Sequence, residues 1–257
     1  MKLIIQSDDF GITEAVTYGT LKGIRDGMIT CTGMFSNMPS SSLAAQMIKD
    51  YPEICLGQDI NIVAGKPVSN PKNVPGMVQE NGYFLTANMH REKDVTAKEH
   101  DHLDYEECCL EVEAQIQKFI ELTGKKPEYL HGHSYGTQTL GKVMHEMAQK
   151  YEIPITFDMY QQYKIGFLEE SWNKKPFGLE EQLKTNPIEY ITNKDYMPQN
   201  CEVMLIGTHC GYVDSDLFNV SSYTLIRNRD LMAITSPEMK KWIKENEMEL
   251  ISFRDLK

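Results

Sequence analysis

The sequence predicts an α/β fold built on a parallel sheet, from three observations. Short apolar runs alternate with stretches of helical spacing along the 257 residues. No Pro-, Gly- or Ser-rich linker and no shift of composition divides them, so 1–257 is read as one domain. Several apolar runs end in Asp or His, which is how a parallel α/β sheet presents chemistry at the C-terminal edge of its strands. A barrel of βα units and an open doubly wound sheet both meet these conditions.

The elements follow in order. Leu3-Ile4-Ile5 is a buried strand, and Ser7-Asp8-Asp9-Phe10-Gly11 comes straight after it. Gly11 permits a sharp turn, and Thr13-Glu14 opens a helix over 14–26 that stops at Gly27. Residues 29–35 read as a strand, 43–49 as a short helix and 54–62 as a third strand. Residues 64–82, rich in Gly, Pro and Asn, form a long loop, and long loops in compact domains are often functional. A helix over 104–122, a strand over 127–131, a helix over 140–151 and a strand over 153–157 come next. Residues 158–200 are irregular and carry Tyr160, Tyr163, Phe167, Trp172 and Phe177. A strand over 201–206, a helix over 237–246 opened by Ser236-Pro237 and a strand over 249–253 close the chain.

Composition narrows the class. A 41% hydrophobic, 25% charged chain is ordinary for a globular protein, and a net charge of −11 argues against nucleic acid or an anionic membrane as a partner. No apolar run has transmembrane length. The N-terminus enters a strand with no basic leader ahead of it. The six cysteines show no Cys-x-x-Cys spacing. The expected setting is therefore a reducing, cytoplasmic one with free thiols. No Gly-x-Gly-x-x-Gly, Walker or Gly-x-Ser-x-Gly motif is present.

Four strand ends carry the chemistry: Asp8-Asp9, Asp59, His131-Gly132-His133 and His209. In a parallel sheet these ends converge on one rim. Carboxylate and imidazole ligands suit zinc and related divalent ions. Such an ion lowers the pKa of a water and polarises a carbonyl, while a nearby carboxylate takes the proton. Each group also has a plainer reading. Asp8-Asp9 and Asp59 can be solvated turn residues, the two histidines can cap a turn, and His209 can be a structural histidine. His90, His100, His102 and His145 read as surface. A glycosidase using two of Asp8, Asp9 and Asp59 is a further alternative.

At these residues the sequence resembles the YdjC-like carbohydrate deacetylase family, which includes chitooligosaccharide deacetylases. The matching pieces are 3–11, 57–68, 127–136 and 202–214, with Arg227, Asp230-Leu231 and 249–252. The resemblance implies a distorted (β/α) barrel with its active site at the C-terminal strand ends. It implies removal of acetyl groups from N-acetylated sugars with a divalent metal, zinc or magnesium. Carried over, Asp8 is the general base, Asp9 a metal ligand, and His209 assists the leaving group. Asp59 and His133 complete the ligand set, and Asn37, Asn61, His131, Tyr212 and Arg227 are expected to contact substrate. The partner is then a small N-acetylated sugar, with a homodimer left open. The 64–82 loop and the aromatic segment 158–178 are candidates to cover the sugar.

The chain departs from the family pattern at four places. Asp59 stands where the family has a metal-binding His, His131 where it has Asp, Gly136 where it has His, and Cys210 where it has Pro. Two expectations follow: a deacetylase whose ion is held by an unusual, more anionic set, or a catalytically weak or inactive carbohydrate-binding protein on the same fold.

Overall fold

The computed structural model describes residues 1–97, 100–172 and 178–256, so the aromatic Phe177 lies outside the described residues. The elements run β1 (Lys2–Phe10), α1 (Glu14–Asp26), β2 (Cys31–Met34), α2 (Ser41–Met47), β3 (Cys55–Ile60), α3 (Ala87–Asp94), α4 (Tyr105–Thr123), β4 (Leu130–Gly132) and α5 (Gln138–Tyr151). They continue α6 (Thr156–Gln162), β5 (Gly166–Phe167), α7 (Leu179–Lys184), α8 (Pro187–Ile191), β6 (Val203–Thr208), α9 (Leu217–Val220), α10 (Leu225–Thr235), α11 (Pro237–Glu245) and β7 (Glu249–Leu250). The strands pair in the order β4-β3-β2-β1-β6-β5, with β7 beside β1, and every pairing is parallel.

Alternation of side chains explains why this sheet curls into a half-barrel. Ile4, Cys31, Cys55, Tyr129, Val203 and Leu205 come from strands spread across most of the sheet, yet they share one buried cluster with Ile251 and Phe253. The inner faces of β4 and β6 can meet only if the sheet bends round on itself. On the other face Leu3, Ile5, Leu56, Met204 and Ile206 pack with residues of α1, α2, α10 and α11. Ile60 and Leu130 do the same with α4 and α5. Gly57 on β3 is part of the inner design, because a Cβ there would lie 2.2 Å from the Tyr129 ring. The distorted (β/α) barrel expected from the family resemblance is the observed architecture. No helix among the described residues is long and apolar enough to cross a membrane.

The structure differs from the sequence expectations in definite places. Residues 153–157 do not form a strand. Ile155 makes an isolated bridge to Leu130, and the chain then turns into α6. The irregular stretch 158–200 holds β5, α7 and α8, and α3 and α10 had no apolar stripe to announce them. His90 is not on the surface. It is fully buried, with Nε2 3.0 Å from the Ile62 carbonyl oxygen and Nδ1 2.8 Å from His102 Nε2. Burial holds its pKa down at about 4. All six cysteines are free.

Candidate active site

The site begins with an irregularity in β1. Ser7 pairs with Thr32 and Phe10 with Met34, so three steps on β1 match two on β2. The extra residue is Asp9, whose φ of 67° lies in the left-handed region. On a regular strand, adjacent residues face opposite ways. The bulge lets Asp8 follow Ile4 and Gln6 inward, returns Phe10 to the outer core, and leaves the Asp9 carboxylate at the strand end among buried polar groups.

Asp9 is held from four sides. Its Oδ2 accepts from Nη2 of the buried Arg227 at 2.6 Å. Its Oδ1 lies 2.8 Å from His133 Nδ1 without the alignment of a hydrogen bond, so that buried oxygen has no hydrogen-bond partner. Its backbone N–H donates to Asp59 Oδ2 at 2.8 Å, and its carbonyl accepts from the Ile12 amide at 3.1 Å. Burial raises the Asp9 pKa, but His133 and then Arg227 outweigh it and hold the carboxyl well below the usual range.

Asp59 reaches β1 across β2 because Gly33 lies between. A Cβ on Gly33 would sit 1.8 Å from Asp59 Oδ1. Asp59 is fully buried, and Oδ1 has no hydrogen-bond partner. Burial first, then the charges of Asp8 and Asp9, push its pKa well above the usual carboxylate range, against the Asp9 amide and Arg227. A carboxyl raised in the folded state stabilises fully below its unfolded pKa of about 3.9. It loses that contribution as pH climbs toward the folded value. Asp59→Asn keeps an oxygen for the Asp9 amide. In metal-free buffer its Tm is expected to exceed the parent's at pH 8 and to match it near pH 3. A lower Tm at pH 8 would mean that the fold already balances the charge.

Asp8 opens into a cavity of about 310 Å³ lined by Gln6, His131, Tyr160, Phe167, Trp172 and His209, among others. Gln6 Nε2 donates to Asp8 Oδ1, and His131 Nε2 stands 3.8 Å from Asp8 Oδ2. The other ring nitrogen of His131 is anchored 2.7 Å from Thr156 Oγ1. His209 is held by its backbone, whose N–H donates to Asp230 Oδ2 at 2.8 Å. Its ring Nδ1 is buried with no hydrogen-bond partner. Burial lowers the His209 pKa, and the charges of Asp9 and Asp8 offset this only in part.

Six of the ten residues singled out in the sequence, Asp8, Asp9, Asp59, His131, His133 and His209, therefore meet around this rim, and Arg227 joins them through Asp9. The other three lie elsewhere. Asn61 Nδ2 donates to Asn37 Oδ1 and the Ala64 carbonyl, and Asn37 Nδ2 donates to the carbonyls of Ala64 and Lys66. This pair shapes the entry to the long loop and is not part of the cavity lining. The Tyr212 backbone packs against α1, where its N–H donates to the Ala15 carbonyl. The loop itself is tied to α4, with the Val68 and Ser69 amides donating to Glu111 and the Gly76 amide to Glu107.

The donor set suits a hard or borderline divalent ion in chemistry and charge. Asp9 Oδ1 and Asp59 Oδ1 are buried acceptors without hydrogen bonds, and His133 Nδ1 lies beside the first. Among the described residues, Arg227 is the permanent cation that acts on Asp9 and Asp59, and burial, then the charges of Asp8 and Asp9, still raise the Asp59 pKa. The fit is not that of a finished shell: among the described residues no three His, Cys, Asp or Glu side chains are gathered around one point.

Comparison with known proteins adds the following. A family described as "YdjC-like protein" matches residues 2–245. "Carbohydrate deacetylase 2" of Listeria innocua serovar 6a is 30% identical, covering 100% of this chain and 99% of its own. "Carbohydrate deacetylase" of Clostridium beijerinckii is 28% identical over the full length of both. Among solved structures, an Enterococcus faecalis V583 protein named for cellobiose-phosphate cleavage superposes with a TM-score of 0.77 at 25% identity, over 99% of this chain and 98% of that one.

Proposed function

The chain belongs to the YdjC-like family, and on that premise we propose that it is a divalent-metal-dependent hydrolase that deacetylates an N-acetylated sugar. The names of its relatives support the deacetylation of a carbohydrate. The observation that carries the rest is that Asp8, His131 and His209 line a cavity at the small end of ligand-pocket size, while Asp9, next to Asp8, is in contact with Asp59 and His133 at the adjoining strand ends.

Asp9, Asp59 and His133 are the residues that would hold the ion, which would polarise the acetyl carbonyl and acidify a water. The remaining roles fall to the chain's own groups. Asp8, facing the cavity with one oxygen fixed by Gln6, takes the proton from the attacking water. His131, 3.8 Å from Asp8 Oδ2, offers that water a second polar contact. His209 lies on the same cavity and gives a proton to the departing nitrogen. Burial holds the His209 pKa down, so it rests neutral at neutral pH and acts once the proton that Asp8 takes from the water has been passed to it; the imidazolium then gives that proton up more readily than a free one. Tyr160, Phe167 and Trp172 supply the apolar wall against which a sugar ring rests. His133 and then Arg227 hold Asp9 in its ionised form.

A second reading, a sugar-binding protein with little or no turnover, is favoured by one observation: Arg227 already pairs with Asp9 and no three-ligand group is assembled among the described residues. Acetate release from a panel of N-acetylated sugars separates the two. It is measured on chelator-treated protein before and after zinc, cobalt, nickel or magnesium. Calorimetry of the same ions with the apo protein follows the metal independently. Release that appears only with an ion supports the deacetylase. Ion binding without release, or sugar binding with neither, leaves the second reading.

A further inference from the structure

The cavity wall and His209 share a single buried carboxylate. Asp230 on α10 is fully buried; its Oδ2 accepts the His209 backbone N–H at 2.8 Å and its Oδ1 accepts Trp172 Nε1–H at 2.9 Å. Both residues so held line the cavity that Asp8 opens into. One turn earlier on the same helix, Arg227 reaches Asp9. One short helix thus sends a cation to the end of β1 and an anion to the end of β6. The Arg227 carbonyl adds a third tie by accepting the Gly211 amide at 3.2 Å, just beyond His209.

Trp172 follows β5, which ends at Phe167, and lies in no helix or strand itself. Its indole packs near Tyr190 of α8, 6.2 Å between centroids. Its bond to Asp230 ties this wall to the sheet. Burying a carboxylate is costly unless donors meet it. Asp230 has one donor on each oxygen, so loss of either leaves a buried oxygen unmet and shifts the other bond.

We infer that Asp230 is a positioning residue that couples the seating of Trp172 on the substrate to the placement of the His209 imidazole. The inference rests on the deacetylase reading for its kinetic consequence, but not for its structural content. A ligand that presses on Trp172 draws on the same carboxylate that orients the His209 backbone. A sugar that fails to engage the wall then leaves His209 off position.

The test uses Trp172→Phe, which keeps a ring and deletes the N–H donor, and Asp230→Asn, which keeps the volume. The first readout needs no turnover: the His209 ring signals in a two-dimensional NMR spectrum, assigned by their loss in His209→Asn. Coupling requires those signals to move in Trp172→Phe, since the described bonds of Trp172 and His209 meet at Asp230. The second readout is kinetic. Trp172→Phe is expected to lower kcat on the order of tenfold besides raising KM, and Trp172→Phe/Asp230→Asn to be no slower than Asp230→Asn alone. Unmoved His209 signals in Trp172→Phe, an effect on KM only, or additive single effects would each overturn the coupling. If no sugar releases acetate, the deacetylase reading falls and the NMR result still decides this inference. If Asp230→Asn does not fold, Trp172→Phe decides it alone.

Discussion

An Asp8→Asn protein is expected to keep its fold and its affinity for sugar while kcat falls by a factor on the order of 10²–10⁴, the range over which a positioned general base acts. Asn preserves the size of the side chain and an oxygen for the Gln6 amide. It removes only the capacity to take a proton. Asp8 is partly exposed to the cavity, whereas Asp9 and Asp59 are sealed in hydrogen bonds and charge contacts. Of the three carboxyls it is therefore the one a water can reach. The measurement is steady-state acetate release beside an equilibrium binding assay. A fall in kcat and kcat/KM together, with unchanged binding, marks an interaction made only in the transition state. A kcat within a few fold of the parent would remove Asp8 from the role of base and put His131, the imidazole that lines the cavity 3.8 Å from Asp8, in its place.

Much of this site was legible because β-structure makes it so. Parallel strands bring their C-terminal ends together, so Asp8, Asp59, His131, His133 and His209 could be grouped without knowing a single distance. The register bears this out locally: Asp59 and His131 are direct partners across β3 and β4. The bulge was not legible. Its signal is a left-handed φ at Asp9, and an aspartate in that conformation leaves no mark as plain as a glycine would. Nor was Gly33 legible as the gap that lets Asp59 cross β2, since the clearance is set by a neighbour 26 positions away in sequence. The residues that went elsewhere share a feature. Asn37 and Asn61 are short amides beside turns, and such side chains bond local backbone as readily as a ligand. The helix carrying Arg227 and Asp230 was hard to read because a buried cation and a buried anion interrupt the apolar residues Ile226, Leu231, Ala233 and Ile234 that it buries. Burial pushes Asp230 up to about 7, the mark of a carboxylate kept in the interior for its hydrogen bonds.

Arg227→Met should be the most destabilising single change at the site, by about 3–5 kcal/mol, the usual result of removing one partner from a buried ion pair. Methionine fills most of the space and makes none of the bonds: Nη2 to Asp9 at 2.6 Å and Nε to the Tyr223 carbonyl at 2.7 Å are both lost. For a chain of this size the Tm is expected to drop by roughly 10 °C. The pH dependence fixes the cause. Asp9 is held low in the folded state, so its contribution is present above its unfolded pKa of about 3.9 and is lost as pH falls through the folded value. The gap in Tm between parent and variant should therefore be widest near neutral pH and close in acid. A gap that does not narrow at all between pH 7 and pH 3 would mean that the guanidinium acts through packing alone. The same variant tests the ion. With Arg227 gone, no Lys or Arg among the described residues pairs with Asp9, and a divalent ion should bind more tightly than to the parent. Adding zinc or magnesium to Arg227→Met should then recover more Tm than it gives the parent, by simple mass action on the folded state. Equal or absent recovery in both would show that Asp9 and Asp59 are arranged for the guanidinium and not for a metal.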